Sequence, residues 1–245
     1  LEIVKPQLAY AGEYTFYFVG NVDVETLKPL VEQYIASIPG KAVPAAKITT
    51  AGLGLKTGSA TEQVTQKMDT PQTYAAVLAL AEMPYSSKNQ KLTSIAGQIL
   101  SARLIKIVRE DEGAVYSISA SGVMSRIGDN GYNAIIQSAF PMKPEMKDKV
   151  LEIIAGQFED MTSNISAEEL AKVKEFMIKD ATANLKKNTA WEGAMEGYCI
   201  LPVNTFTNAV DEINAITEDD VKTYMKEFMK QNNYRVFIMD PETAE

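Results

Sequence analysis

Tyr74-Ala-Ala-Val-Leu-Ala-Leu-Ala-Glu-Met83 is apolar at nearly every position, too short for a buried helix and followed by Pro84. Such a run reads as a strand at the centre of a sheet, covered on both faces. Residues 62–68 precede it as a second strand across Asp69-Thr70-Pro71-Gln72, a turn-forming sequence. Residues 84–87 lead into a long helix over residues 88–110 with Leu92, Ile95, Ile99 and Leu100 on one side, ending at Asp111-Glu112-Gly113. Strands are expected at residues 114–123 and 131–140, joined by Gly128-Asp-Asn-Gly131. Pro141 and Pro144 then open a helix with Met146, Val150, Ile153, Phe158 and Met161 on one face.

The rest of the chain is mostly helical. Ser166-Ala-Glu-Glu169 is a capping box for a helix reaching about residue 187, and shorter helices follow at residues 191–200 and 207–216. Thr217-Glu-Asp-Asp220 opens another helix, ending near Gln231, before a last strand at residues 234–239. Paired strands, a helix, paired strands and then helices with one late strand make an α+β fold: an antiparallel sheet with helices packed on one face.

Upstream, residues 14–20 read as a strand and residues 24–38 as a helix with Asp23 as N-cap and Val24, Leu27, Val31, Tyr34 and Ile38 on one side. From Pro39 to about Thr61 no period is sustained, which makes this stretch the best domain boundary. The expected division is therefore 1–61, a closing strand and helix plus linker, and 62–245, a complete domain. The two terminal strands echo each other, Tyr14-Thr-Phe-Tyr-Phe-Val-Gly20 against Tyr234-Arg-Val-Phe-Ile-Met239. Either they are unrelated strands of common composition, or the first closes a preceding domain of the same kind.

Composition removes several functions. The 245 residues carry no His and one Cys, with 32 acidic against 24 basic residues for a net charge of −8. Without imidazole or a cysteine cluster there is no usual zinc site and no Ser-His or Cys-His catalysis, so no metal ligand is assigned. The acidic balance, without a basic stripe, argues against nucleic acid. No apolar run approaches the ~20 residues of a membrane span, and no phosphate-binding or nucleophile-elbow motif is present. Cys199, between Tyr198 and Ile200, reads as a small buried side chain, and Met146, Met161, Met177 and Met225 as core fillers. The chain opens Leu-Glu-Ile with no signal-peptide pattern, as expected of a piece of a longer protein. The acidic clusters at 111–112, 168–169 and 218–220 fall at helix ends, where capping explains them.

One segment offers chemistry. In Leu100-Ser-Ala-Arg-Leu-Ile-Lys-Ile-Val-Arg-Glu-Asp-Glu-Gly-Ala-Val-Tyr-Ser-Ile-Ser-Ala120, Arg109 ends a helix and Tyr116 begins the next strand across a tight acidic turn. A guanidinium and a phenol at one sheet edge both donate to carbonyl oxygens, and the phenol can also stabilise an oxyanion. The plainer reading has Arg109 satisfying helix C-terminal carbonyls and Tyr116 packing beside Ile118.

The Phe18-Val-Gly-Asn-Val-Asp23 segment with its helix ending Tyr34-Ile-Ala-Ser-Ile-Pro39, the Arg-Glu-x-x-Gly-x-x-Tyr pattern from Arg109 to Tyr116 and the helices after Pro141 together resemble the pitrilysin/insulinase family of zinc metallopeptidases, the inverzincins. The resemblance covers nearly the whole chain and implies a processing-peptidase-like fold. Members have two homologous halves, each of two α+β domains, enclosing a chamber. The catalytic half carries His-x-x-Glu-His and a distal Glu, none of which this chain has. By resemblance the chain is the C-terminal, metal-free portion: the echo reflects the tail of a third domain, and the residues from about 62 onward are the fourth. Arg109 then holds a substrate carbonyl, and Tyr116 is the catalytic oxyanion support, acting in trans to a zinc site elsewhere. The implied partners are a peptide or unfolded polypeptide and the catalytic half or a partner subunit. The implied cofactor is zinc in that half and none in this chain, and the implied compartment is a bacterial envelope or periplasm. The alternative is a non-proteolytic scaffolding relative with the same fold, as in respiratory-complex core proteins.

Overall fold

The computed structural model describes Glu2, Lys5 and residues 10–40, 58–127 and 131–242. Five strands form one sheet in the order β1-β5-β2-β4-β3: β1 (Ala60–Gln66), β2 (Thr73–Glu82), β3 (Ala120–Ile127), β4 (Gly131–Met142) and β5 (Tyr234–Pro241). All neighbouring pairs are antiparallel except β1 with β5, which run parallel. The α+β expectation holds, with this one parallel edge pair added.

β2 is central as expected, but it is not covered on both faces. Ala75, Val77, Ala79 and Ala81 are buried beneath helices, whereas Ala76 and Leu78 are half-buried and Tyr74 is 43% exposed. The second face is open toward Tyr74 and Ala76, whereas Leu80 and Asn133 at its other end are 7% and 4% exposed. Its apolar residues make a patch rather than a second core.

Helices α2 (Ser87–Leu104), α3 (Lys147–Asp160) and α7 (Glu218–Met229) lie on the first face. Leu92, Ile95, Ile99 and Leu100 of α2 are buried with Ile136 and Phe140 of β4, Val236 and Ile238 of β5, and Phe158 and Phe228 from the other two helices. Each such side chain contributes on the order of 1.5–3 kcal/mol on leaving water. Met161 and Met225 are fully buried, and Met146 and Met177 pack at the margin of the same core. α2 meets β3 backbone to backbone: a Cβ on Gly97 would stand 2.1 Å from the Gly122 nitrogen.

The helix ends follow local chemistry. Ser166 and Glu169 close a reciprocal capping box on α4 (Ala167–Asn184), and Thr217 with Asp220 does the same on α7. Arg103 of α2 ties three helices together, reaching Asp160 of α3 at 2.8 Å and Glu169 of α4 at 2.7 Å.

Residues 14–20, expected as a strand, form no strand and join no ladder among the described residues. α1 (Val24–Tyr34) begins at its Asp23 cap as expected, yet buries no residue. Along its apolar side Val24 is 69% and Tyr34 63% exposed, while Leu27, Val31 and Ile38 are half-buried. α5 (Asn188–Ile200) likewise has no buried residue, and Cys199 on it is exposed rather than buried. α6 (Ala209–Ala215) is a short bridge to α7. The linker at residues 41–57 and the turn at 128–130 lie outside the described residues.

Candidate functional site

The helix expected over residues 88–110 changes character before its end. α2 stops at Leu104, and Ile105–Asp111 continues as a π-helix, the wide turn that is rare and concentrated at functional sites. The Glu112 N–H donates to the Ile107 carbonyl at 3.0 Å, five residues back, and the Ala114 N–H donates to Val108 at 3.1 Å. Gly113 makes that return possible at φ 58°, in the left-handed region.

The sequence places the start of a strand at residue 114, but the ladder of β3 starts only at Ala120. The preceding segment is held by other bonds. The Lys143 N–H donates to the Ala114 carbonyl at 3.2 Å, and the Ser138 hydroxyl donates to the Ser119 carbonyl at 2.7 Å. Both partners sit on or beside β4, and these bonds hold residues 114–119 alongside its end without a ladder, which begins at the Ala120–Ser138 pair.

The same segment decides where the two candidate side chains point. Val108, Ala114, Val115 and Ile118 are buried at 0%, 1%, 8% and 6% exposure, and these anchors turn their neighbours outward. Tyr116 is 91% exposed, so it does not pack beside Ile118. Arg109 is exposed in the last turn of the π-helix. Among the described residues neither side chain makes a hydrogen bond or ion pair, so the Arg109 guanidinium does not cap the helix carbonyls. Both therefore remain free to donate to another molecule.

A cleft of about 350 Å³ opens at the foot of Tyr116, bounded by Gln72, Gly113, Pro141, Met142 and Lys143. Glu112 pairs with Lys149 of α3, which removes one carboxylate from the turn between Arg109 and Tyr116. The other acidic clusters are committed too: Glu168 to Lys172, Glu169 to Arg103, Asp219 to Lys222 and Asp220 to Lys88. With no His in the chain and no grouping of three metal-binding side chains among the described residues, the donor set here does not fit zinc.

Sequence reasoning missed two features. The π-helix has no periodic signature, because Ile105, Ile107 and Val108 fit an α-helical stripe as well. The second is the apolar open face of the sheet. Its signal was present in Tyr74, Ala76 and Leu78, which break the alternation of a half-exposed strand.

No curated protein matches the chain. Among solved structures it is similar to a mutant of the ferredoxin protease FusC in complex with Arabidopsis ferredoxin, at a TM-score of 0.72 and 18% identity over 91% of this chain and 24% of that one. The periplasmic protease PqqL from Escherichia coli aligns at 0.70 and 18% over 91% and 25%. A peptidase M16 inactive domain from Pseudomonas fluorescens aligns at 0.72 and 18% over 97% and 56%. The chain thus spans about a quarter of the two proteases and just over half of the third structure. Likeness at this identity shows the shared fold alone. The family described as the peptidase M16 inactive domain matches residues 11–177, more than half of the chain and the whole of the Arg109 to Tyr116 turn. The chain belongs to the family of peptidase M16 inactive domains.

Proposed function

We propose that this chain is the metal-free, substrate-positioning portion of a zinc-dependent endopeptidase, closing the substrate chamber opposite the catalytic half. The observation that carries the reading is the presentation of Tyr116, exposed and without a hydrogen-bond partner among the described residues, on a turn pinned by buried neighbours. Arg109 holds a substrate carbonyl, and the phenol of Tyr116 donates to the oxyanion that develops at the scissile carbonyl. The zinc chemistry belongs to the catalytic half or a partner subunit. Substrates are peptides or unfolded polypeptides, whose backbone is all that a guanidinium and a phenol need to recognise. A periplasmic or envelope location is part of the proposal, supported by the periplasmic neighbour PqqL.

The division into residues 1–61 and 62–245 is part of the same reading. An α1 that buries no residue and a segment at residues 14–20 that joins no ladder among the described residues are what the tail of a neighbouring domain would leave when its sheet lies elsewhere.

The test is peptide cleavage by the full-length protein carrying Tyr116→Phe or Arg109→Ala. Removing one oxyanion donor is expected to lower kcat by roughly 10²–10³-fold, with the fold intact by circular dichroism. Loss of Arg109 is expected to raise KM as well. Wild-type rates in both variants would sink the assignment, and a full-length protein without bound zinc or peptidase activity would establish the scaffolding alternative.

A further inference from the structure

From Ala134 to Met142, the helix-facing row of β4 is apolar except at one position. Ala134, Ile136, Phe140 and Met142 are each at most 3% exposed, and Ser138 stands among them at 3%. A hydroxyl in such a row is costly to bury unless it is bonded. Ser138 pairs with Val77 on β2 and with Ala120 on β3, the first rung of the β3 ladder, so it sits where that pairing begins. Its hydroxyl donates at 2.7 Å to the carbonyl of Ser119, the last residue before the ladder.

Tyr116 lies between two fastenings of this kind. On one side the Lys143 N–H holds the Ala114 carbonyl at 3.2 Å, and on the other Ser138 holds Ser119. Between them the chain bends at Tyr116, whose side chain points into solvent while Val115 and Ile118 are buried. The first fastening is backbone to backbone and independent of side-chain type. The second depends on a single hydroxyl. Without it the segment loses its hold three residues beyond Tyr116, yet Ser119 is itself exposed, so water takes up the freed carbonyl. The bond therefore matters less for stability than for where it holds the chain.

We infer that Ser138 is a positioning residue for Tyr116: its buried hydroxyl sets where the phenol stands in relation to the bound peptide. The inference rests on the proposed function and adds to it a residue buried out of reach of the peptide. Donation to an oxyanion depends steeply on geometry, and a displacement of about 1 Å costs about 10²-fold in rate. Loss of the Ser138 bond is thus felt in the transition state, where the phenol is needed, and not in peptide binding.

The test is peptide cleavage by the full-length protein. Ser138→Ala is expected to lower kcat roughly ten- to a hundredfold with KM within about twofold of the wild type. Ser138→Thr and Ser138→Val introduce side chains of nearly the same shape, of which only Thr keeps the hydroxyl. The Thr variant is expected to turn over about tenfold faster than the Val variant, which separates the hydroxyl from the volume of the side chain. In a Tyr116→Phe background, Ser138→Ala is expected to cost less than about twofold, because the group it positions is gone. An equal loss in both backgrounds, or a Val variant as fast as the Thr variant, overturns the positioning role. So does a Ser138→Ala enzyme at the wild-type rate when Tyr116→Phe is slow. If Tyr116→Phe slows no peptide, the proposed function itself fails and the role of Ser138 falls with it.

Discussion

The backbone N–H of Ala114 donates to the carbonyl of Val108 at 3.1 Å, closing the turn that separates Arg109 from Tyr116. Because Val108 and Ala114 are both buried, that bond fixes the roots of both candidate side chains to the core while their tips stay in solvent. The two side chains are thereby presented on a fixed base, which is what positioning a substrate backbone requires.

Gly113 is the residue that makes this turn accessible, and its replacement is a clean test. A Cβ there meets nothing within 4 Å, so the cost of Gly113→Ala is conformational alone, about 1 kcal/mol for a left-handed backbone. A fall in Tm of roughly 2–4 °C is expected, with Gly113→Asn losing less because Asn tolerates that region better. Equal thermal stability of the Ala variant and the wild type would show that the turn does not need its positive φ.

A second pair of glycines is held by space rather than by φ. A Cβ on Gly122 would stand 1.8 Å from the Thr93 carbonyl oxygen, and one on Gly97 2.1 Å from the Gly122 nitrogen. Since the obstacles are backbone atoms, neither side can yield without separating α2 from β3. Gly97→Ala or Gly122→Ala is expected to cost upwards of about 3 kcal/mol or to prevent folding. Gly156 inside α3 meets nothing within 4 Å, so Gly156→Ala is expected to gain up to about 1 kcal/mol from helix propensity. Thermal unfolding of the three variants side by side checks the contrast.

How far the sequence could be read depended on which interactions were local. The Ser166 and Thr217 caps depend on residues three apart, and both form as the sequence implies. The buried stripe of α2 was legible for the same reason: Leu92, Ile95, Ile99 and Leu100 are all at most 3% exposed. The second face of β2 was not legible, because apolar composition says that a face is sticky and not that anything covers it. Tyr14 to Gly20 has strand composition, but a strand needs a neighbour, and composition does not provide one. The candidate pair was legible as a spacing. Its exposure was not, since that follows from the buried anchors and the carbonyl partners of residues 114–119.

Cys199 shows the same limit and gives a direct measurement. Its apolar neighbours suggest burial, yet Tyr198 and Ile200 are themselves 53% and 61% exposed on a helix that buries nothing. Cys199 is expected to react stoichiometrically with an aromatic disulfide reagent in the native chain, slower than in denaturant by no more than about tenfold because its thiol is exposed although hydrogen-bonded to Tyr17. Protection by more than about a hundredfold, as for a core thiol, would contradict its placement on an open surface.

The Arg103 junction carries a pH signature whose sign is fixed by the direction of its shift. Hydrogen bonds from the Arg103 guanidinium, with help from Ser166, hold the Glu169 carboxyl down at about 2, against an ordinary value of 4.5, while partial burial opposes them. A carboxylate whose folded pKa is depressed contributes stability that is fully present above its unfolded pKa and lost as the pH falls toward the folded one. The loss therefore runs from about pH 4.5 down to about pH 2. Because Glu169 is partly exposed, solvent screening leaves about 1–2 kcal/mol of this to the folded state. Arg103→Met keeps the stem that packs between the helices and removes the charge. It is expected to unfold at lower denaturant than the wild type at pH 7, with the gap narrowing steadily below about pH 4.5. A gap that stays constant from about pH 7 to about pH 2.5 would mean that Arg103 acts through packing alone.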